Sequence, residues 1–342
     1  MLQVGIIGCG GIIERRHLPG LLELKEVSIV AMSDVSEDRV NHLCDIAEIP
    51  PSHRYVDYND LLNNESLDVL IVATPINFHE GPVIAAAGIV PTVLVEKPLT
   101  SSLASAERML EAHERSGTSI HVVHNQIFRP AVETAMEVIS NGNLGNPFLY
   151  RDEQLGASHR PGSGKTPDWR TKYSMGGGGC LIDNAYHSIY LAEKLLGSKV
   201  KSINALTDTF THKYDVEDTA ILTMSHHNGG LSSIQASWAI TSGRHVAQRV
   251  HELHGTKGSF IFDYDGIPLA LFHKNQESFT PLSVKPERND DAGYYNFRDQ
   301  FFDAVLKGNP PPINGMEGYH ILSVVDSAYK SAIKGESIEV PK

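Results

Sequence analysis

A chain of 342 residues is too long for one small core and suits two domains. Its composition, 41% hydrophobic and 20% charged, is ordinary for a soluble globular protein, and a formal net charge of −12 with no lysine- or arginine-rich block argues against nucleic acid as a partner. No apolar run approaches the ~18 residues that span a bilayer, and the N-terminus enters a strand with no basic region and apolar stretch ahead of it, so neither a membrane segment nor a secretory signal is expected. The three cysteines, Cys9, Cys44 and Cys180, form no C-x-x-C pair, which predicts a reduced, cytoplasmic setting.

Along residues 1–124 strands and helices alternate. Leu2–Ile7 predicts a buried strand, and Ile12–Leu24 a helix with Ile13, Leu18, Leu21 and Leu22 on one face, its start complicated by Pro19. A strand at Val27–Met32 and a helix at Glu37–Ile46, with Ser36 as its N-cap, come next. Leu67–Ala73, Val93–Val95 and Ile120–Val123 read as further strands, with helices around Pro82–Ala87 and Ala104–Ser116. Strands rich in Val and Ile without polar alternation are buried on both faces, the pattern of a doubly wound parallel sheet.

Near residue 125 the pattern changes. A helix at Ala131–Ser140 and a strand at Pro147–Glu153 lead into a Gly-, Pro- and Ser-rich stretch over 156–179, predicted to be a long loop, and then a helix at Leu181–Leu196. Strands follow closely at 200–211, 217–226, 231–240, 247–254, 258–263 and 268–272, with His227-Asn228-Gly229-Gly230 as a hairpin turn, so a large, mostly antiparallel sheet is expected. Two helices, near 293–307 and 315–334, end the chain. The expected division is a dinucleotide-binding domain over 1–124 and a substrate-binding and oligomerisation domain over 125–342.

The turn Gly8-Cys9-Gly10-Gly11-Ile12-Ile13 follows the first strand and opens a helix. There Gly8 permits a tight turn, Gly10 lets a pyrophosphate approach the backbone, and the first helical N–H groups favour an anion. The motif departs from G-x-G-x-x-G at Ile13, where closer helix–strand packing is in doubt. Asp34, just after the second strand, suits the adenosine ribose hydroxyls and repels a 2′-phosphate; this favours NAD, while nearby Arg39 keeps NADP open. A loop or helix-capping carboxylate is the alternative reading of Asp34. Ala73-Thr74-Pro75 ends a strand where α/β sheets bind ligands, and Asn77 and His79 follow; His79 alone reads as a helix-start polar residue. Cys9 is expected to pack, not to react.

Glu96-Lys97-Pro98 ends another strand, and the glycine run Gly176–Gly179 precedes Asp183 and His187. Oxidation of a secondary alcohol needs a base for the hydroxyl proton and a cation or donor for the developing alkoxide. Histidine suits the first task and a lysine beside the cofactor the second. Asp183 and His187, four apart, share a helix face, and the bare glycine backbone would admit substrate and nicotinamide closely. A helical surface pair remains the plain alternative, and zinc ligation by Asp183 and His187 is disfavoured because no Cys/His cluster completes a site. His121, His124, His226 and His227 read as structural. A glycine turn at one end and a proton-handling set in the middle together predict a nicotinamide-dependent alcohol dehydrogenase.

These segments, with Trp169-Arg170 and Gly255-Thr256-Lys257-Gly258, stand in the order of the glucose–fructose oxidoreductase / inositol dehydrogenase / rhizopine catabolism (Gfo/Idh/MocA) family, which nearly the whole chain resembles. The resemblance implies an N-terminal Rossmann domain and a C-terminal α/β domain with a large open sheet. It implies His187 as general base, Lys97 holding the reacting oxygen and positioning the nicotinamide, and Asp183 orienting substrate and tuning His187. Glu96 and Asn125 would lie near the cofactor, the Lys97–Pro98 peptide would be a candidate for the cis form, and Arg129, Trp169, Arg170 and Tyr186 would be candidate substrate contacts. A homodimer or homotetramer formed through the open sheet is implied as well. Two departures stand out: Gly-Ile-Val-Pro-Thr at 88–92 replaces the usual glycine-lysine-histidine approach, and Tyr186 stands where a small residue is common.

The substrate so implied is a sugar, polyol or cyclitol, with Ser158, His159, Arg160, Lys165 and Asp168 as polar groups of the long loop that suit many hydroxyls. Two other classes compete. An NAD-dependent glycosidase would oxidise transiently to loosen a glycosidic bond, and a nicotinamide-sensing binding protein would do no chemistry.

Overall fold

The computed structural model describes residues 1–156, 169–211, 213–241, 250–264, 266–276, 278–288 and 292–341. The loop residues Ser158, His159, Arg160, Lys165 and Asp168 lie outside the described residues, as do positions 247–249 of one expected strand.

The first elements are β1 (Leu2–Ile7), α1 (Leu18–Leu22), β2 (Val27–Ser33), α2 (Glu37–Ile46), β3 (Arg54–Tyr55), α3 (Tyr58–Asn64), β4 (Val69–Val72), α4 (Glu80–Ala86), β5 (Thr92–Val95), α5 (Leu103–Ser116) and β6 (Ser119–Val122). Then come α6 (Pro130–Ser140), β7 (Pro147–Leu155), α7 (Tyr173–Gly176), α8 (Tyr186–Leu196), β8 (Val200–Asp208), β9 (Thr219–His226), β10 (Leu231–Ser237), β11 (His251–Gly255), β12 (Gly258–Tyr264), β13 (Ile267–His273) and β14 (Phe279–Pro281). Two long helices, α9 (Tyr294–Leu306) and α10 (Gly315–Lys334), precede the short β15 (Ile338–Glu339). Among the described residues no helix is long and apolar enough to cross a membrane.

The chain divides into two compact units: Met1–His124 with Tyr294–Leu322, and Asn125–Gly293 with Ser323–Lys342. The first is built on a six-stranded sheet ordered β3-β2-β1-β4-β5-β6, parallel throughout. Strands β4 and β5 are buried along their whole length, as an unbroken apolar sequence between two helix layers requires. The edge of β6 is covered from far along the chain: Val122 N–H donates to the Ile313 carbonyl at 3.0 Å, and Asn314 bridges His121. The start of α10 then packs so closely that a Cβ on Gly318 would lie 2.6 Å from Val122 Cγ2.

The second unit holds a nine-stranded sheet ordered β14-β13-β12-β11-β7-β10-β9-β8-β15. Its one parallel pair is β7–β10; the others run antiparallel. Strands β8 and β9 alternate buried and outward positions, and the outward set includes Leu206 and its cross-strand partner Ile221. The sheet and fold class are those expected from the run of close-spaced strands.

Two helices differ from expectation in the same way. The segment read as one helix from Ile12 begins as a π turn over Ile13–His17 and continues as the five-residue α1. Pro19 and Gly20 weaken a regular ladder there. The wider turn rotates the buried face onto Ile13, His17, Leu18 and Leu21, and Leu22 is 53% exposed. Likewise the helix expected from Leu181 opens with a π turn over Leu181–Ala185 before α8. Asp183 lies in the π turn and His187 in the α-helix, so the four-residue spacing does not carry the angle of a plain α-helix. The elements β3, α3, β14 and β15, all of seven residues or fewer, have no counterpart in the sequence expectation, and the stretch expected to be loop over 156–179 holds the short helix α7.

Candidate active site

The site residues fall in both units. In the first, β1 runs into Gly8, whose φ of +96° makes the turn. A Cβ at Gly8 would lie 2.7 Å from the backbone of Ala73 and Thr74, so the β1 and β4 ends touch there; at Gly10 a Cβ would meet nothing within 4 Å. Thr74 Oγ1, at the end of β4, is buried with no hydrogen-bond partner among the described residues. An open space beside Gly10 and an unspent buried hydroxyl fit a dinucleotide lying across the strand ends. The Arg15 guanidinium folds over Gly11, 2.5 Å from where a Cβ would stand.

Asp34 does a capping task. Its carboxylate accepts from Cys9 N–H at 2.6 Å and from Ser36 N–H at 2.9 Å, tying the β2 end to the glycine turn. Each oxygen keeps a second lone pair for a ribose hydroxyl. Arg39 is spent locally, donating to the Cys9 carbonyl at 2.9 Å and to Glu14 at 2.8 Å. Burial pushes the Cys9 thiol up, which makes it a packing residue.

Behind Lys97 lies a buried polar chain. Tyr294 OH lies 2.9 Å from His17 Nδ1, His17 Nε2 lies 2.7 Å from Glu96 Oε1, and Glu96 Oε2 accepts from Lys97 N–H at 3.1 Å. Burial raises the Glu96 carboxyl, but the opposing effects of His17 and Lys97 win and hold it below the usual carboxylate range. The Lys97–Pro98 peptide is cis, the form the resemblance implied. His79 lies between the β4 and β5 ends, with Nδ1 3.1 Å from the Pro98 and Leu99 carbonyls and Nε2 2.9 Å from the Thr74 carbonyl; burial favours the neutral ring, whose single N–H donates to one side. Asn77 accepts from the Ser101 hydroxyl.

His124 is also part of this unit. Burial first, and the Lys97 charge second, lower its pKa to about 3. The unfolded ring binds a proton near pH 6.5 and the folded ring does not, so stability falls as pH drops from about 6.5 toward 3. At pH 5 this ring alone is expected to cost ~2 kcal/mol relative to neutral pH. Thermal melts at pH 7.5 and 5 check it: His124→Gln should shrink the acid loss, and equal loss in both proteins would refute the assignment.

In the second unit, Asp183 is paired with Arg170 at 3.3 Å, and the Arg170 guanidinium lies over the Trp169 ring at 4.3 Å. His187 Nδ1 lies 2.6 Å from Tyr190 OH, which also accepts from Gln126 N–H at 3.3 Å. Tyr186 is 0% exposed and packs edge-on to Tyr190. Arg129 is engaged by Asp263 at 3.3 Å and Glu287 at 3.7 Å, and Asn125 donates to the Ala292 carbonyl at 2.8 Å. The glycine run also differs from expectation. A Cβ on Gly178 would overlap the Tyr329 hydroxyl and one on Gly179 the Glu217 carbonyl, so these two glycines are small because the protein packs on them.

Other residues around the site differ in how legible they are in the sequence. His17 had a signal, since it lies four residues from both Ile13 and Leu21 on the buried face, where a polar side chain is informative. Tyr190, three residues after His187 on one helix, had one too. Arg15 and Glu217 had none.

Comparison with known proteins agrees with this architecture. Residues 2–124 match a family model described as an oxidoreductase family with an NAD-binding Rossmann fold, and residues 132–261 match the GFO/IDH/MocA C-terminal domain. The chain is 26% identical to a myo-inositol 2-dehydrogenase of Thermotoga maritima, over 99% of this chain and 98% of that one. It is 25% identical to a D-glucoside 3-dehydrogenase of Escherichia coli, over 99% and 97%. A levoglucosan dehydrogenase solved in complex with NADH shares the fold at a TM-score of 0.88 and 22% identity, covering 100% of this chain and 99% of that one.

Proposed function

The chain belongs to the Gfo/Idh/MocA family of NAD-dependent oxidoreductases, and from that premise we propose that it moves a hydride between NAD and a secondary hydroxyl of a sugar, polyol or cyclitol, with Lys97, Asp183 and His187 handling the reacting oxygen and its proton. The relatives named inositol and glucoside dehydrogenases support the substrate class. Bound NAD⁺ supplies the hydride acceptor.

The observation that carries the proton role is the 2.6 Å contact of His187 Nδ1 with Tyr190 OH. Gln126 N–H already occupies one lone pair of that phenol oxygen. We assign the ring proton to Nδ1, donated to the other lone pair, so that Nε2 takes the hydroxyl proton. Lys97, backed by the ionised Glu96, supplies positive charge for the developing alkoxide. Asp183, held by Arg170, orients the substrate. The negative Asp34 and the neutralised Arg39 favour NAD over NADP. We place self-association on the outward sheet face that bears Leu206 and Ile221.

The test is a cofactor and substrate screen. NAD⁺ should raise the melting temperature more than NADP⁺, and the NAD⁺ complex should form NADH with some member of a panel of sugars, polyols and cyclitols. An NAD⁺-binding protein that forms none would sink the dehydrogenase reading. Release of an aryl group from a chromogenic glycoside without net NADH would replace it with the glycosidase.

A further inference from the structure

We propose that Glu217 and Tyr329 are positioning residues that fix the turn carrying Asp183 and His187; the inference deepens the dehydrogenase reading and rests on it for its catalytic consequence.

The first N–H groups of a helical segment have no partner within it. In the π turn at Leu181–Ala185 this need is met by one residue, located just before β9. Glu217 Oε1 accepts from Gly179 N–H at 3.0 Å and from Leu181 N–H at 2.9 Å, while the Glu217 backbone carbonyl accepts from Cys180 N–H at 3.2 Å. Three successive donors thus converge on a single side chain and its own peptide. Tyr329, from α10, donates its hydroxyl to the same Oε1 at 2.9 Å.

The clamp reaches Asp183 directly, because Asp183 N–H donates to the carbonyl of the clamped Gly179 at 3.0 Å. Its far side is held as well, with Trp238 Nε1–H donating to Asn184 Oδ1 at 2.6 Å. A π turn is wider than an α turn and persists where neighbours define it. The absence of side chains at Gly178 and Gly179 is what lets Tyr329 and Glu217 approach. Those glycines and this pair are two halves of one device.

Burial pushes the Glu217 carboxyl up, toward the neutral form. The clamp therefore needs an acceptor oxygen of the right length more than a full charge, and glutamine retains one. This separates positioning from electrostatics in an experiment.

Wild type, Glu217→Gln, Glu217→Ala and Tyr329→Phe would be compared for NAD⁺ affinity by calorimetry, for kcat and KM with an active polyol, and for the titration of the His187 imidazole by NMR. The His187→Asn spectrum assigns that signal. The expected result is a kcat lowered by about 100-fold in Glu217→Ala and about 10-fold in Tyr329→Phe, with NAD⁺ affinity kept, an altered His187 titration and most of kcat recovered in Glu217→Gln. A folded Glu217→Ala with wild-type kcat and His187 titration overturns the proposal. So does a loss of kcat that tracks loss of NAD⁺ binding, which marks general unfolding. If Glu217→Ala does not fold, a Tyr329→Phe protein indistinguishable from wild type overturns it instead. If the wild type oxidises no polyol, the dehydrogenase reading fails alone: an altered His187 titration in the variants still supports the clamp, and an unaltered one removes it.

Discussion

Replacing His187 with asparagine is expected to lower kcat by about 10²–10⁴-fold while leaving NAD⁺ affinity intact. Asparagine keeps a polar group on α8 but provides no nitrogen that can accept a proton at neutral pH. The residue sits in the second unit, whereas the glycine turn and Thr74 belong to the first, so cofactor binding and proton removal should separate cleanly. Lys97→Met should lower turnover too, with the loss arising from the alkoxide and not from the base. Tyr190→Phe should give a smaller deficit, roughly 10-fold, since the imidazole remains and only its Nδ1 partner is lost. Single-turnover NADH formation at saturating NAD⁺ reads all three. Wild-type turnover in His187→Asn would assign the base elsewhere.

The same three variants separate the competing chemistries. A glycosidase working through transient oxidation would lose aryl release in His187→Asn and Lys97→Met together, and no NADH would accumulate in the wild type. A binding protein would keep its NAD⁺ affinity in every variant with no turnover to lose. Net NADH in the wild type is therefore the discriminating quantity, and the variants then report on how the proton leaves.

Much of this was readable before the fold was known, for physical reasons that differ by element. The strands of the parallel sheet announced themselves because burial on both faces forces continuous apolar runs, as at Val69–Val72 and Thr92–Val95. Helix α2 was legible to the residue because Ser36 caps it through Arg39 N–H. The π turns were not legible, since hydrophobic spacing assumes a 3.6-residue repeat and one extra residue in a turn leaves no mark in composition. That error moved Leu22 from the core to the surface and altered the relation of Asp183 to His187. Glu217 was invisible for another reason: its partners at 179–181 lie nearly forty residues away and are backbone N–H groups, which every sequence offers alike. The glycines at 178 and 179 stand out in the sequence but the reason for them does not, because a missing side chain looks the same whether substrate or protein fills the space.

Gly8 and Gly10 give the sharpest contrast the first unit offers, because the two glycines of one turn are small for opposite reasons. Gly8→Ala places a methyl group 2.7 Å from the Ala73 carbonyl group and the Thr74 nitrogen, all backbone atoms that cannot rotate away, at a φ of +96° that L-residues avoid. Overpacking and backbone strain together are expected to cost ~2–5 kcal/mol, so the melting temperature falls and the joined ends of β1 and β4 separate. Gly10→Ala adds a methyl group with no atom within 4 Å of it, so the unliganded protein should melt at the wild-type temperature or slightly above, alanine being the less flexible residue in the unfolded chain. That open space is where a pyrophosphate would meet the backbone. Gly10→Ala should therefore abolish most of the stabilisation given by NAD⁺ while leaving intrinsic stability alone, whereas Gly8→Ala should lose both. Melts with and without saturating NAD⁺ distinguish the cases. A Gly10→Ala protein that binds NAD⁺ as tightly as wild type would move the dinucleotide away from this turn, and with it the argument that Lys97, at the end of β5 in the same sheet, stands beside the nicotinamide.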